Sequence, residues 1–306
     1  MGWTFSMFLQ AVMIVLLAPF IQGVIKKTKA RMQNRIGPSI WQPYYDVIKF
    51  MKKDAVLSHH SSWLSIVTPY IVFVSIVTAG LFIPTYTVNN DWNFIGDVIL
   101  VVYLFGVARF FTALTALDAG GAFGGMGSSR EMALSAIAEP ALLLALFAVC
   151  LSSETMKLPS LAVSLTHNGW DWFTPSYGLA FFAMLIVVIA ETGRIPVDNP
   201  DTHLELTMVH EGMLLEYSGR YLGLMMWAAQ IKQLLLLSLF IHLFFPWGIA
   251  GGFVSFLLYV AKLLALGMLL AFIETMYAKI RLFKVPKLLG SSMILSLMAI
   301  LLQVFA

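Results

Sequence analysis

The stretch Thr174–Gly219 reads TPSYGLAFFAMLIVVIAETGRIPVDNPDTHLELTMVHEGMLLEYSG. Up to Glu191 it is an apolar run close to the roughly 20 residues that a helix needs to cross a bilayer at about 1.5 Å per residue. Beyond that point it changes character. From Glu191 to Gly219, six of the chain's sixteen acidic residues fall within 29 positions. A long greasy helix that ends in a carboxylate-rich loop implies a lipid solvent on one side of the boundary and a polar compartment on the other. The fold then depends on how often the first half of this pattern recurs.

It recurs throughout. Apolar runs occupy roughly 4 to 25, 64 to 86, 95 to 117, 132 to 152, 174 to 191, 221 to 245, 251 to 275 and 288 to 306. Hydrophobic residues make up 59% of the 306 and charged ones 11%, which excludes an ordinary water-soluble domain. The expected architecture is all-α: a polytopic integral membrane protein of about eight transmembrane helices, forming a single membrane domain over 1–306. The first run lacks the basic start and small-residue cleavage site of a signal peptide, so it is expected to stay as a helix.

Fifteen of the nineteen Lys and Arg residues lie in alternate connections: Lys26 to Lys53, Arg130, Arg194 with Arg220, and Lys279 to Lys287. The positive-inside rule then places these connections in the cytoplasm and both termini on the outer side of the cell membrane. The net charge of +3 follows from that topology and calls for no nucleic-acid partner. The single cysteine, Cys150, sits in an apolar run. It offers no thiolate set for a disulfide, metal or iron–sulfur cluster, so no cofactor is expected in this chain.

Four features carry possible chemistry. Between 39 and 53, Ile40, Tyr44, Ile48 and Met51 share one helical stripe and Gln42, Asp46, Lys49 and Lys53 another. That spacing predicts a helix lying flat at the headgroup level, as a lipid anchor or as the wall of a site. The glycine-rich DAGGAFGGMGSSRE, Asp118–Glu131, lacks the Gly-Lys-Ser/Thr ending of a phosphate loop and reads as close-packed, mobile backbone between two helices. Arg109, Glu139, Lys232, Lys262 and Glu274 fall inside predicted spans, where an isolated charge costs roughly 2.5–3.5 kcal/mol. They are expected to face inward. Glu139, followed by Pro140, suits either a proton or ion relay or a structural acid neutralised by a cation. Arg109 and Glu274 lie nearer helix ends, where snorkelling serves as well as function. His167 and His242 read as interfacial. In the acidic loop, Asp198 or Asn199 fits a helix N-cap, and Asp201 and Glu205 share a face. Caps account for some of the six acids, not all.

Three motifs occur together: RMQNRIGPSIWQPYYDVIKFMKK from Arg31, SREMALSAIAEP from Ser129, and AETGRIPVDNPDTHLELTMVHEGMLLEYSGRY from Ala190. In this order they resemble the eight-helix membrane subunit shared by respiratory complex I, its subunit one, and the membrane-bound nickel–iron hydrogenases. The resemblance implies a joint between a peripheral redox arm and an ion-pumping membrane arm. By motif position, Arg31, Arg35, Gly37, Pro38, Gln42, Pro43, Asp46 and Lys49, with Arg130 and Arg220, are implied to meet the peripheral arm. Glu139, Glu191, Arg194, Asp198, Asp201, Glu205, Glu211 and Glu216, with Lys232 and Lys262, are implied to couple ions.

The quinone-using branch usually has an acid where this chain has His203, and a shorter gap before Glu216-Tyr-Ser-Gly. The longer gap, with Glu211 added, is similar to the hydrogenase-4, formate hydrogenlyase and energy-converting hydrogenase branch. What this implies is a coupling subunit with no redox centre of its own. A nickel–iron centre and iron–sulfur clusters would reside in peripheral large and small subunits, and antiporter-like membrane subunits would move protons or sodium. The alternative is the quinone-site subunit of a complex I-like dehydrogenase. A self-contained carrier finds no support in paired broken helices or repeats, and a bare membrane anchor needs none of the embedded charges.

Overall fold

The computed structural model describes residues 2–58, 61–85, 97–167, 174–198, 209–248 and 252–305. Among these residues, ten α-helices follow in order: α1 Gly2–Met32, α2 Gln42–Met51, α3 Leu64–Phe82, α4 Val98–Asp118, α5 Ala122–Ser152, α6 Leu158–His167, α7 Pro175–Glu191, α8 Gly219–Phe244, α9 Phe253–Met276 and α10 Val285–Phe305. Among the described residues there is no strand beyond one bridge between Asp97 and Lys157. The chain is an all-α, multi-pass membrane protein. Seven helices are long and apolar enough to cross a bilayer. The eighth, α7, has 17 residues and spans about 25 Å, at the lower limit for a crossing.

α8 is the axis of the bundle. Its buried residues run almost without interruption from Gln233 to Phe244, and α1, α2, α3, α7 and α9 all pack on it. A helix that is apolar all round can be buried only where neighbours surround it. One continuous core joins Ile21 and Ile25 of α1, Phe105 of α4, Leu142 of α5, Met184 of α7, Phe240 of α8 and Leu263 of α9. α10 closes the other side, packing on α5 and α7.

Three details depart from the sequence reading. The first is α6, a helix in the connection between the apolar runs 132 to 152 and 174 to 191. Leu158, Leu161, Ala162 and Leu165 are buried, the i, i+3, i+4, i+7 face of a helix too short to register as a span, and it packs against α8. The second is the glycine-rich segment, which is mostly helix. Only 119–121 turn, with Gly120 at φ +67°, and α5 begins at Ala122. The close packing is as expected: a Cβ on Gly124 would lie 2.8 Å from the Ala116 carbonyl oxygen, and one on Gly127 3.0 Å from that of Val209. The third concerns α2. Pro43 and Val47 are its buried residues, while of the expected apolar stripe Ile48 and Met51 are exposed and Ile40 and Tyr44 are half-buried. This short helix carries apolar residues on more than one side, and the side that meets α8 is the one that packs.

Candidate functional site

The charges that the sequence places inside the membrane do not stand alone. α4 presents Arg109 and α5 presents Glu131 and Glu139, eight residues apart and therefore on the same side of the helix. Arg109 meets Glu139 at 2.5 Å and Glu131 at 3.4 Å. It also donates to Glu191 at the end of α7. Lys232, halfway along α8, reaches the same Glu191 at 2.8 Å. Arg109 and Glu191 are almost wholly enclosed, whereas the Glu139 side chain is 40% exposed.

A second group lies one residue around α8. Arg194, in the turn after α7, is buried. It pairs with Glu274 of α9 at 3.0 Å, with Gln233 of α8 at 2.8 Å, and with Gln22 of α1. Lys29 of α1 approaches the other Glu274 oxygen at 3.2 Å. A third group pins the acidic loop. Asp198 accepts from Lys279 at 2.7 Å and from the backbone N–H groups of Val209 and His210 at 3.3 and 3.4 Å. One carboxylate thus ties the two described ends of the loop to the end of α9.

Across the three groups, Arg109, Lys232, Arg194, Lys29 and Lys279 face Glu131, Glu139, Glu191, Glu274 and Asp198. Five cations and five carboxylates balance, so for these ten side chains the cost of an isolated charge in lipid does not arise. Removing one member leaves its partner uncompensated, which costs roughly 3–5 kcal/mol for a buried pair.

His210 sits against the first and third groups, and burial keeps its imidazole below the ordinary pKa of 6.5. Nearby, burial pushes the Tyr217 hydroxyl up to about 12, so it stays a neutral phenol beside the hydrogen-bonded Thr68 and Thr115. Three cavities open among these residues, of about 30, 40 and 150 Å³. The largest is lined by Gln22, Lys26, Glu191, Glu211, Gln230 and Lys232, among others.

The structure gathers Glu139, Glu191, Arg194, Asp198 and Lys232 into this network and sets Glu211 on its largest cavity. Asp201, Glu205 and His203 lie outside the described residues. Glu216 is exposed and lies against Gly121. Lys262 is not part of the network: it donates to the carbonyls of Phe245 and Trp247, just past the C-terminal end of α8. Sequence gives a residue's position along its helix but not which neighbour it faces. Gln42, Asp46 and Lys49 bond among themselves on α2 at 3.0 and 3.4 Å, and Arg31 and Arg35 are exposed. Arg130 is half-buried, and Arg220 lies 5.3 Å over the Tyr221 ring.

Arg109 and Glu274, whose positions near helix ends suit snorkelling, are central to the first two groups instead, because each has an opposite charge within reach on a neighbouring helix, Glu139 for the first and Lys29 for the second. His242 likewise is buried, not interfacial. Its ring nitrogens lie 2.7 and 2.6 Å from the carbonyls of Ser238 and Thr85. Glu131, Gln22, Lys29, Gln233 and Lys279 were missed. Two signals were available: the seven-residue interval from Gln22 to Lys29 puts both on one face of α1, and the eight-residue interval from Glu131 to Glu139 does the same on α5.

Comparisons with known proteins bear on the family and the fold. The NADH dehydrogenase family model matches residues 5–305. Formate hydrogenlyase subunit 4 of Escherichia coli is 33% identical, with 92% of each chain covered. Hydrogenase-4 component C of the same organism is 34% identical, over 78% of this chain and 74% of that one. An NADH-quinone oxidoreductase subunit of Salinibacter ruber is 26% identical, over 80% of this chain and 73% of that one. A chain of the archaeal membrane-bound sulfane sulfur reductase complex shares the fold, with a TM-score of 0.83 over 97% of this chain and 99% of that one, at 22% identity. Over nearly its whole length, and with its embedded charges paired across helices, the chain belongs to the NADH dehydrogenase family of complex I subunit 1, among relatives that include formate hydrogenlyase and hydrogenase-4 subunits, and is a membrane subunit of such a respiratory complex.

Proposed function

We propose that this chain couples electron transfer in a peripheral nickel–iron hydrogenase arm to proton or sodium translocation in membrane-arm subunits. The observation that carries the reading is the Arg109 group of ion pairs, which runs from Glu191 at the start of the acidic loop to Glu139 in the middle of α5. Asp198, Arg194 and Glu191 occupy one connection, and of these Glu191 is held by Lys232 and by Arg109, which also holds Glu139, whose side chain remains 40% exposed on a membrane-spanning helix. A change of charge or position at the loop alters the balance around Arg109, and the carboxylate that gains or loses a proton in response is the one least enclosed. Burial strengthens each such interaction, because the low dielectric leaves charges poorly screened.

In this reading the loop faces the cytoplasm and, with the 31–53 segment, meets the peripheral large and small subunits. Those subunits hold the nickel–iron centre and the iron–sulfur clusters. Among the described residues, Glu131, Glu139, Glu191, Glu274 and Asp198 of this chain are engaged with Lys and Arg. Antiporter-like subunits carry the ions. The identities of 33 and 34% to formate hydrogenlyase and hydrogenase-4 subunits support the hydrogenase assignment.

The test is the number of ions moved per redox turnover by the assembled complex in sealed vesicles. Glu139→Gln is expected to lower that ratio, and an unchanged ratio removes Glu139 from the mechanism. A quinone retained by the purified complex, or inhibition by quinone-site compounds, would assign the chain to the quinone-site subunit of a complex I-like dehydrogenase instead.

A further inference from the structure

Among the described residues, His210 is common to three cavities. The first, about 30 Å³, is lined by Glu131, Ser135, Glu191 and Asp198, among others. The second, about 40 Å³, includes Arg109, Thr112, Glu131 and Lys232. The third, about 150 Å³, includes Gln22, Lys26, Glu211, Gln230 and Gln233. A water molecule needs roughly 10–15 Å³ of such space, so each can hold at least two. In the third, Gln230 Oε1 and Gln233 Nε2 are buried without a protein partner, and buried polar atoms of this kind are ordinarily satisfied by water.

The ring is surrounded by charge from every side. Arg109 of α4, Glu131 of α5, Lys232 of α8 and Asp198 after α7 all act on it. Glu191 of α7 lines the first and third cavities with it, Lys26 of α1 and the adjacent Glu211 line the third, and Lys279 is bound to Asp198. Its own backbone N–H is held by Asp198 at 3.4 Å, which fixes the imidazole at the junction.

We infer that His210 is the proton-transfer residue joining the wet third cavity to the carboxylates around Arg109. The inference rests on the coupling reading above and names a carrier that reading lacks. A ring nitrogen takes a proton from a hydronium ion in the third cavity, leaving water and an imidazolium. The imidazolium passes that proton, directly or through water, to Glu131, which becomes a neutral carboxylic acid as the ring returns to its neutral form. One proton moves, charge is conserved and no electrons are involved. Arg109 then loses one of its three carboxylate partners and rests on Glu139 and Glu191, so a proton arriving from the loop side is felt at the exposed acid. Burial, the largest influence on the ring, keeps it neutral at neutral pH and ready to accept. Glu131 and Asp198 oppose that effect, whereas Lys232 and Arg109 add to it.

The experiment follows ions moved per turnover by the assembled complex in vesicles, across roughly pH 5 to 8, the range in which histidines titrate. In the native complex the ratio falls on the acid side, below the ordinary imidazole value of 6.5, because a ring that is permanently charged cannot accept. His210→Gln is expected to lower the ratio at least about tenfold, a modest share of the roughly 10²–10⁴ contributed by a positioned acid–base group, and to abolish the acid limb. His210→Ala is expected to recover part of the ratio when imidazole is added, an effect that a purely structural role does not produce. If His210→Ala fails to assemble, judged by co-purification of partner subunits, the Gln variant decides. An unchanged ratio and acid limb in His210→Gln, alongside a lowered ratio in Glu139→Gln, overturns the role of His210 and leaves coupling standing. Unchanged ratios in both overturn the coupling reading itself.

Discussion

The middle of α8 and its C-terminal end solve the same problem in opposite ways. In the middle, Lys232 is buried against a carboxylate, Glu191, which is shared with Arg109. At the C-terminal end, Lys262 and His242 meet backbone carbonyls: those of Phe245 and Trp247 for the lysine, and of Ser238 and Thr85 for the histidine. The carbonyls are uncharged acceptors with no proton to lose, and that of Phe245 belongs to the C-cap residue of α8. Carboxylates can exchange protons. The first arrangement contains carboxylates that can exchange protons and the second contains none, so the coupling proposed above is assigned to the Lys232 region.

The sharpest way to break this contrast is Glu191→Gln. It removes the charge that Arg109 and Lys232 share and should destabilise the subunit by roughly 3–5 kcal/mol, read as a lower melting temperature of the purified complex; a melting temperature equal to the native one would mean the two cations find other compensation. Next in size is Gly127→Ala. A Cβ there meets backbone of the Val209 to Met213 segment at 3.0–3.2 Å, so displacing the loop from α5 should cost about 1–3 kcal/mol and lower ions moved per turnover along with stability. Loss of stability with full coupling would separate the loop's position from its function. A smaller effect is expected from Lys262→Met, roughly 1–2 kcal/mol for charge-assisted bonds to carbonyls, with the ion ratio unchanged; a fall in that ratio would erase the distinction between the two regions. Smallest is Lys49→Ala on α2. Its pair with Asp46 at 3.4 Å is half exposed, and the stability change should stay within about 0.5 kcal/mol.

The helices were legible because lipid imposes length and apolarity on every crossing segment, and runs such as 221 to 245 contain little else. The acidic connection was legible for the converse reason: carboxylates crowd where the apolar run stops at Glu191. Lateral partners were harder to see. Arg109 lies two turns from the end of α4, and position alone suits a side chain reaching the interface as well as one turned toward α5 and α7. Only the packing of three helices brings Glu131, Glu139 and Glu191 around it. Lys262 misled for the same reason, since it too is a lysine inside an apolar run, like Lys232, while its neighbours differ. α6 escaped notice because ten residues cannot make a span, and its buried face becomes visible only against α8.

Lys232 and Gln233 are consecutive on α8, and one holds Glu191 while the other holds Arg194. Neighbours on a helix point about 100° apart, so twisting α8 about its long axis cannot shift one grip without shifting the other. The two sets of contacts therefore turn on a common spindle, and a torque applied at either is delivered to both.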